Sequence, residues 1–433
     1  MNNSIWIDSV SLPEFRALEN HITTDVLVIG GGMCGILCAY YLKQAGISYV
    51  LVEANLIGHG ITKNTTAKVT SQHGLIYQKI EKGKGMEHAK LYLEANQAAL
   101  SRYRELAQTI DCDFEEKDSY VYSTSDSMKL LEEVAVVQSL GFSAQFVSEP
   151  KIPIETQGAV KFPGQAQFHP FKFLAAITKD LNIFENTFIH RIDEHIAYSD
   201  HGSITAKQII VATHFPFLNK HGSFFIKMYQ ERSYVIALKS ALPLDGMYID
   251  DAKGGLSFRD YKDLLLLGGG GHRTGHKGGK WDALRDYAKV SFPNATEQYA
   301  WATQDCMSLD GIPYIGQYSV NTPGLYVASG FNKWGMTSSM VAAMILTDMV
   351  IGKENDWQKV FSPQRNILKP QLLVNAGEAV FNLLTPTPKR CSHLGCALKW
   401  NDAEQTWDCP CHGSRYEKDG TLIDNPSKKD AIL

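Results

Sequence analysis

Asp25-Val-Leu-Val-Ile29 is an apolar run too short for a helix, the pattern of a parallel strand buried on both faces. Glycines follow, then a helical stretch through Tyr40, Tyr41, Leu42 and Lys43. It closes at Gly46, where a glycine at a helix C-terminus is expected. Ser48-Tyr-Val-Leu-Val-Glu53 repeats the strand pattern, so residues 24–53 predict one βαβ unit. Leu91, Ala95, Ala98, Ala99, Leu100 and Leu106 are spaced as on one long helix over 86–110. Further strands are predicted at Gln208–Thr213, Ser233–Leu238 and Leu264–Leu267, and a helix at Met336–Val350. Gly268 to Gly279, with His272 and His276, reads as a flexible loop. The prolines at 363, 370 and 386 mark a connector that holds one amphipathic helix, roughly Pro370 to Leu384.

Composition narrows the class. With 433 residues, 44% hydrophobic and 20% charged, the chain suits a folded protein with two or three cores. Its 42 basic against 46 acidic residues leave a net charge of −4, so no excess exists to hold nucleic acid or an anionic membrane. The polar N-terminus argues against a secretory signal, and Met340–Ile351 is too short an apolar run for a span of ~20 residues. A cytoplasmic protein without a transmembrane segment is expected. Cys34, Cys38, Cys112 and Cys306 are scattered like core thiols, whereas Cys391, Cys396, Cys409 and Cys411 crowd together, which suggests a metal.

Gly30-Gly-Gly32-Met-Cys-Gly35 fits G-x-G-x-x-G, follows a buried strand, opens a helix and precedes the acid Glu53 by about 20 residues. The glycines allow a tight turn, close approach of a pyrophosphate and helix–strand packing, while Glu53 is placed to accept from a ribose. These residues leave FAD and NAD both open. Later segments resemble the D-amino-acid oxidase/glycine oxidase-like superfamily of FAD enzymes. Gly58-His-Gly60 and then Thr65, Thr66, Ala67 and Lys68 through His73 match where relatives wrap the flavin. Asn186-Thr-Phe-Ile189 resembles the strand that meets the adenine, and Ile209–Thr213 the strand and turn over the nucleotide. Asp310–Gly316 and Gly324–Thr337, with Gly330, Gly335, Met336 and Thr337, resemble the section whose helix N-terminus faces the flavin ring. The resemblance implies bound FAD.

Cys391-Ser-His393 and Cys409-Pro-Cys-His412 form C-x-H-x15-C-x2-H. Two thiolates and two imidazoles suit a [2Fe–2S] centre with histidines on one iron, and the same set suits structural zinc. Each arm supplies one ligand of each kind, which favours iron. The fuller strings Cys391–Cys396 and Cys409–Tyr416 resemble Rieske proteins of the cytochrome bc complexes. That resemblance implies a Cys396–Cys411 disulfide, and hydroxyls of Ser414 and Tyr416 bonded to sulfur. Only the proline-broken segment 385–388 precedes the first ligand, so the small module is expected to pack against the rest of the chain.

The fold expected is therefore an α/β Rossmann-like FAD-binding domain with a mixed-sheet substrate domain, plus a small all-β Rieske module. The flavoprotein occupies 1–350, with FAD-binding parts about 20–80, 155–215 and 305–350 and substrate parts about 81–154 and 216–304. A connector covers 351–384 and the module 385–433. His73 is a candidate to face the ring, or a backbone-bonded histidine. Arg232 is a candidate to hold a substrate carboxylate, or a surface arginine, and Trp334 a pocket wall or packing residue. Lys68 near the flavin stabilises its anion or is merely solvated. The reaction expected is oxidation of a C–N bond in an amine or amino acid. Electrons would pass singly to the cluster and on to an external acceptor, because a simple oxidase needs no cluster. Two readings compete with it: a reductase carrying nicotinamide electrons to an oxygenase, and a non-catalytic redox sensor.

Overall fold

Valine, leucine and isoleucine on both faces make His21–Ile29 a central strand. The computed structural model describes residues 3–278 and 280–433, and Gly279 of the glycine segment lies outside them. His21–Ile29 runs parallel between Tyr49–Val52 and Ser203–Val211, and Leu325–Ser329 continues the parallel order beyond Ser203–Val211. Ile183–Phe184 and Tyr314–Gln317 close the two ends. Val26 and Val28 pack toward the helices Met33–Gln44 and Gly335–Val350, while Leu27 and Ile29 pack toward Phe215, Phe224 and Tyr318 on the other face. The glycine turn is tight enough to dictate its sequence. A Cβ on Gly35 would fall 1.9 Å from the Gly30 carbonyl, and Gly30 itself sits at φ +112.

The second sheet is mixed, with nine strands among the described residues. Met228–Lys239 lies antiparallel between Thr296–Ser308 and Leu264–Arg273. At the opposite end Glu115–Tyr122, Ala159–Gln167 and Lys68–Val69 pair in turn. Ala159–Gln167 was expected in the nucleotide half and belongs to this sheet instead. The glycine stretch also departs from expectation, since the strand begun at Leu264 continues to Arg273 and only the residues after it turn away. Asn186–Ile189 is not a strand. Pairing stops at Phe184, and Asn186 takes φ 48 to turn the chain. The long helix runs Met86–Ala107.

The helix Pro370–Leu384 leads into the third unit, a four-stranded antiparallel sheet of Lys399–Asn401, Thr406–Asp408, Arg415–Tyr416 and Leu422–Asp424. Its core holds little besides Cys391, Cys396, Leu398, Cys409, Cys411 and Tyr416. So small an apolar core leaves the module dependent on what it leans against.

Candidate active site and cluster centre

One cavity of about 1090 Å³ runs from the glycine turn to the second sheet. Gly30, Gly32, Glu53, Thr65, Thr66, Ile189, Thr213, Gly335 and Met336 line it, as do His73, Trp334 and Lys68. Gly35, Ala67, Gly330 and Thr337 do not; they hold the wall from behind. Glu53 accepts from the N–H groups of Gly31 (2.6 Å) and Asn55 (2.9 Å), which keeps its carboxylate at the turn. Burial raises its pKa, and those bonds oppose the shift. Residues 64–67 are held by three side-chain donors that sequence patterns did not reveal. Trp6 Nε1 bonds the Thr65 carbonyl (2.7 Å), and Arg259 bonds the carbonyls of Thr66 and Ala67, the latter at 2.8 Å. Trp301 Nε1 holds Asn64 just before them (2.9 Å).

The fit to FAD is geometric. The cavity is continuous, a Cβ at Gly30, Gly31 or Gly35 of its turn would clash while Gly32 opens onto it, and the helix Gly335–Val350 has no side-chain cap to compete for its first N–H groups.

His73 reaches the cavity but is not free to act on a proton. Its Nδ1 meets Tyr92 Oη at 2.7 Å, and its Nε2 meets Thr70 O and Thr337 Oγ1 at 2.8 and 2.9 Å. Burial pushes its pKa down to about 3, so the ring is neutral. It stacks on Trp334 with centroids 4.9 Å apart, and therefore positions the tryptophan. Lys68 is lowered to about 7, first by burial and then by Arg259.

Arg232 corrects an expectation outright. It is buried away from the cavity and its guanidinium engages both carboxylate oxygens of Glu404, in the cluster module. Arg415 meets the same carboxylate at 3.0 Å. Besides Lys68, the charges that line the cavity on this sheet are acidic. Glu231 and Asp305 stand directly opposite each other on neighbouring strands. Like charges so placed repel, yet they are kept. Burial would raise Glu231, but Lys333 and Lys253 outweigh it and hold it below the usual range. Burial raises Asp305 to about 6, and its carboxylate has no hydrogen-bond or ion-pair partner among the described residues. No arginine lines the cavity among those residues.

In the third unit, the structure brings the four candidate ligands together as two pairs. Nδ1 atoms of His393 and His412 face each other 3.3 Å apart. Cys391 is held below the usual thiol range, chiefly by hydrogen bonding to Cys409, with Tyr416 and Ser414 adding to it. Tyr416 Oη lies 3.1 Å from Cys391 Sγ. Burial keeps both imidazoles neutral, His393 at about 4 and His412 at about 3, as ligation requires. The sulfurs of Cys396, Cys409 and Cys411 also lie within 4.8 Å of one another, but Cys396 and Cys411 are bonded to each other and offer no thiolate. Two sulfurs and two ring nitrogens remain, the donor set of a Rieske centre. On the strand Leu264–Arg273 and the turn after it, His272 bonds Tyr234 Oη and His276 bonds Glu378.

The second ligand loop is seated on the flavoprotein sheets. Gln230 Nε2 donates to the His412 carbonyl (2.7 Å), and Gln304 Nε2 to that of Gly413 (2.8 Å). Arg273 donates to Pro410 O and Cys411 O. Gln230 Oε1 also meets His214 Nε2 at 3.1 Å, and His214 lines the cavity. Asn425 Nδ2 donates to the carbonyls of Thr213 (2.6 Å) and Phe215 (2.9 Å). Asp424, Asn425, Ser427 and Lys428 thereby form part of the cavity wall.

Comparison with known proteins agrees with this geometry. The family model for FAD dependent oxidoreductase matches residues 25–349, and that for the Rieske [2Fe-2S] domain matches 361–432, which takes in the helix Pro370–Leu384. The Rieske 2Fe-2S iron-sulfur protein YhfW of Bacillus subtilis (strain 168) is 34% identical over 98% of this chain and 96% of its own. Gamma-glutamylputrescine oxidoreductase of Escherichia coli (strain K12) is 22% identical over 78% of this chain and 86% of its own. Glycine oxidase from Geobacillus kaustophilus superposes with a TM-score of 0.67 at 19% identity, covering 79% of this chain and 99% of that one. The cofactors are FAD and a [2Fe–2S] cluster. The chain belongs to the FAD dependent oxidoreductase family and carries a C-terminal Rieske [2Fe–2S] domain.

Proposed function

We propose that this oxidoreductase dehydrogenates the C–N bond of a cationic amine and delivers the electrons singly, through its cluster, to an external acceptor. The observation that carries the two-centre reading is the shared wall. Asn425 of the cluster module bonds Thr213 of the flavin cavity, and His214, Gln230 and His412 form one continuous contact from cavity to cluster loop. When bound, FAD would supply a hydride acceptor for the carbon beside the nitrogen, and the cluster, held by Cys391, His393, Cys409 and His412, would supply one-electron transfer onward.

The chain's residues supply binding and proton handling. Glu231 is already paired with Lys333 and Lys253, so Asp305 is the group that attracts an ammonium, and its carboxylate, with a pKa near 6, takes the proton the amine must lose before oxidation. Among the described residues no arginine lines the cavity to clamp an amino-acid carboxylate bidentately, so amines are favoured within the amine and amino-acid class. Glycine oxidase and gamma-glutamylputrescine oxidoreductase, among the similar proteins, carry names of that class.

An anaerobic panel of amines, amino acids and NADH tests the proposal, with flavin absorbance and cluster EPR read together. Bleaching by an amine, followed by a reduced-cluster signal, is the expected result. Bleaching by NADH alone would replace this reading with the reductase one. Flavin reduction that never reaches the cluster would break the circuit.

A further inference from the structure

The helix Pro370–Leu384 is mounted inside out. Leu373, Val374, Gly377, Val380, Phe381 and Leu384 fall within about 120° of arc at ~3.6 residues per turn. That stripe faces solvent, with Leu373 77%, Phe381 66% and Leu384 77% exposed. The polar stripe faces the protein. Asn375 (4% exposed) accepts from Arg273 Nη1 at 3.0 Å and donates to the Ile226 carbonyl at 3.2 Å. Glu378 meets His276 at 3.0 Å, and the backbone carbonyl of the buried Asn382 accepts from Ala397 N at 2.9 Å. Arg390 locks the C-terminal end by donating to the carbonyls of Asn382, Leu383 and Thr385. The orientation is thus built by specific bonds, and the apolar stripe is left outward by design. Folded proteins rarely expose so continuous an apolar surface unless something covers it.

The rim of that stripe says what. Lys399 Nζ lies 5.9 Å from the centre of the Phe381 ring, and Lys389 Nζ lies 3.7 Å from that of Trp407. Neither lysine pairs with a carboxylate within 4.0 Å among the described residues. Trp407 and Trp400, both half-buried, pack with centroids 4.9 Å apart beside them. Glu378, the helix's one acidic residue, points inward. An apolar helix face edged by unpaired lysines and indole rings matches the boundary of an anionic bilayer. There the aliphatic side chains enter the acyl region, while tryptophan and lysine sit at the headgroups. A second copy fits poorly, because a two-fold interface would bring the same lysines together without any acid to meet them.

We infer that this helix docks the protein on an anionic lipid surface. Docking brings the first ligand loop to that surface as well. Gly395 of the loop shares Arg390 with the helix C-terminus, and Leu394 is exposed between His393 and Cys396.

Flotation of the full-length, cofactor-loaded protein with vesicles tests this. The protein should rise with phosphatidylcholine vesicles containing phosphatidylglycerol, and much less with phosphatidylcholine alone or at high salt. Phe381→Glu with Leu384→Glu should abolish flotation while flavin and cluster spectra stay intact. Lys389→Gln with Lys399→Gln leaves the helix untouched and should weaken vesicle binding about thirtyfold. Failure to float on anionic vesicles overturns the inference. So does equal binding to neutral ones, or a dimer in solution that Phe381→Glu dissociates.

Discussion

Arg232 grips both carboxylate oxygens of Glu404, so one buried ion pair ties the second sheet of the flavoprotein to the first hairpin of the cluster module. The two residues are 172 positions apart. Removing one partner strands the other charge in a site with almost no solvent, which typically costs ~3–5 kcal/mol. Arg232→Ala should therefore lower the melting temperature and slow transfer from flavin to cluster, while the KM for substrate stays near the wild-type value. A KM rise as the main effect would return Arg232 to the substrate site.

Asp305→Asn should raise the KM for a cationic amine by roughly ten- to a hundredfold, a loss of ~1.4–2.8 kcal/mol in binding. The wild-type kcat/KM should fall as pH drops through about 6, as the carboxylate gains a proton, and the variant should lack that limb. Stability should move the other way. A carboxyl raised from 3.8 to about 6 holds its proton more tightly in the folded state, so native stability declines as pH rises across that window. Asparagine removes the decline, and the variant should be more stable by up to about 3 kcal/mol at pH 7 in chemical denaturation.

His73→Gln should keep the shape of the pH–rate profile and lose no more than about tenfold in kcat, because a ring neutral above pH 3 and bonded through both nitrogens moves no proton. A loss of a thousandfold or more, with a missing limb, would make it an acid or base.

Cys391→Ser should remove iron and the reduced-cluster EPR signal, yet leave a yellow protein whose flavin is still bleached by substrate under anaerobic conditions. Loss of flavin together with iron would instead mean that cluster assembly governs how the flavin wall is held.

Local chemistry was legible where it depends on neighbours in sequence. Gly30 and Gly35 are needed by a turn that closes within six residues, and the cluster ligands sit on two short loops. What the pattern misread was decided by distant contacts. Gly268, Gly269 and Gly271 look like a loop but lie in a strand, because a Cβ there would meet Ser257, Leu256 or Lys333 at 2.7–3.1 Å. The periodicity of Pro370–Leu384 announced an amphipathic helix, yet which face turns outward depends on Arg273 and His276, about a hundred residues earlier. Glu231 and Asp305 carry no motif. Only the register of two strands makes them a pair.

The wall formed by Asp424 to Lys428 has a consequence for assembly. These residues follow the whole flavoprotein half along the chain, so during synthesis the FAD cradle emerges with one side missing. FAD has an open route inward until the cluster module folds and docks, and the route narrows once Asn425 reaches Thr213. The last residues to be made are thus the ones that close the cradle: a polypeptide still in synthesis can take up the vitamin-derived cofactor, and the finished fold retains it.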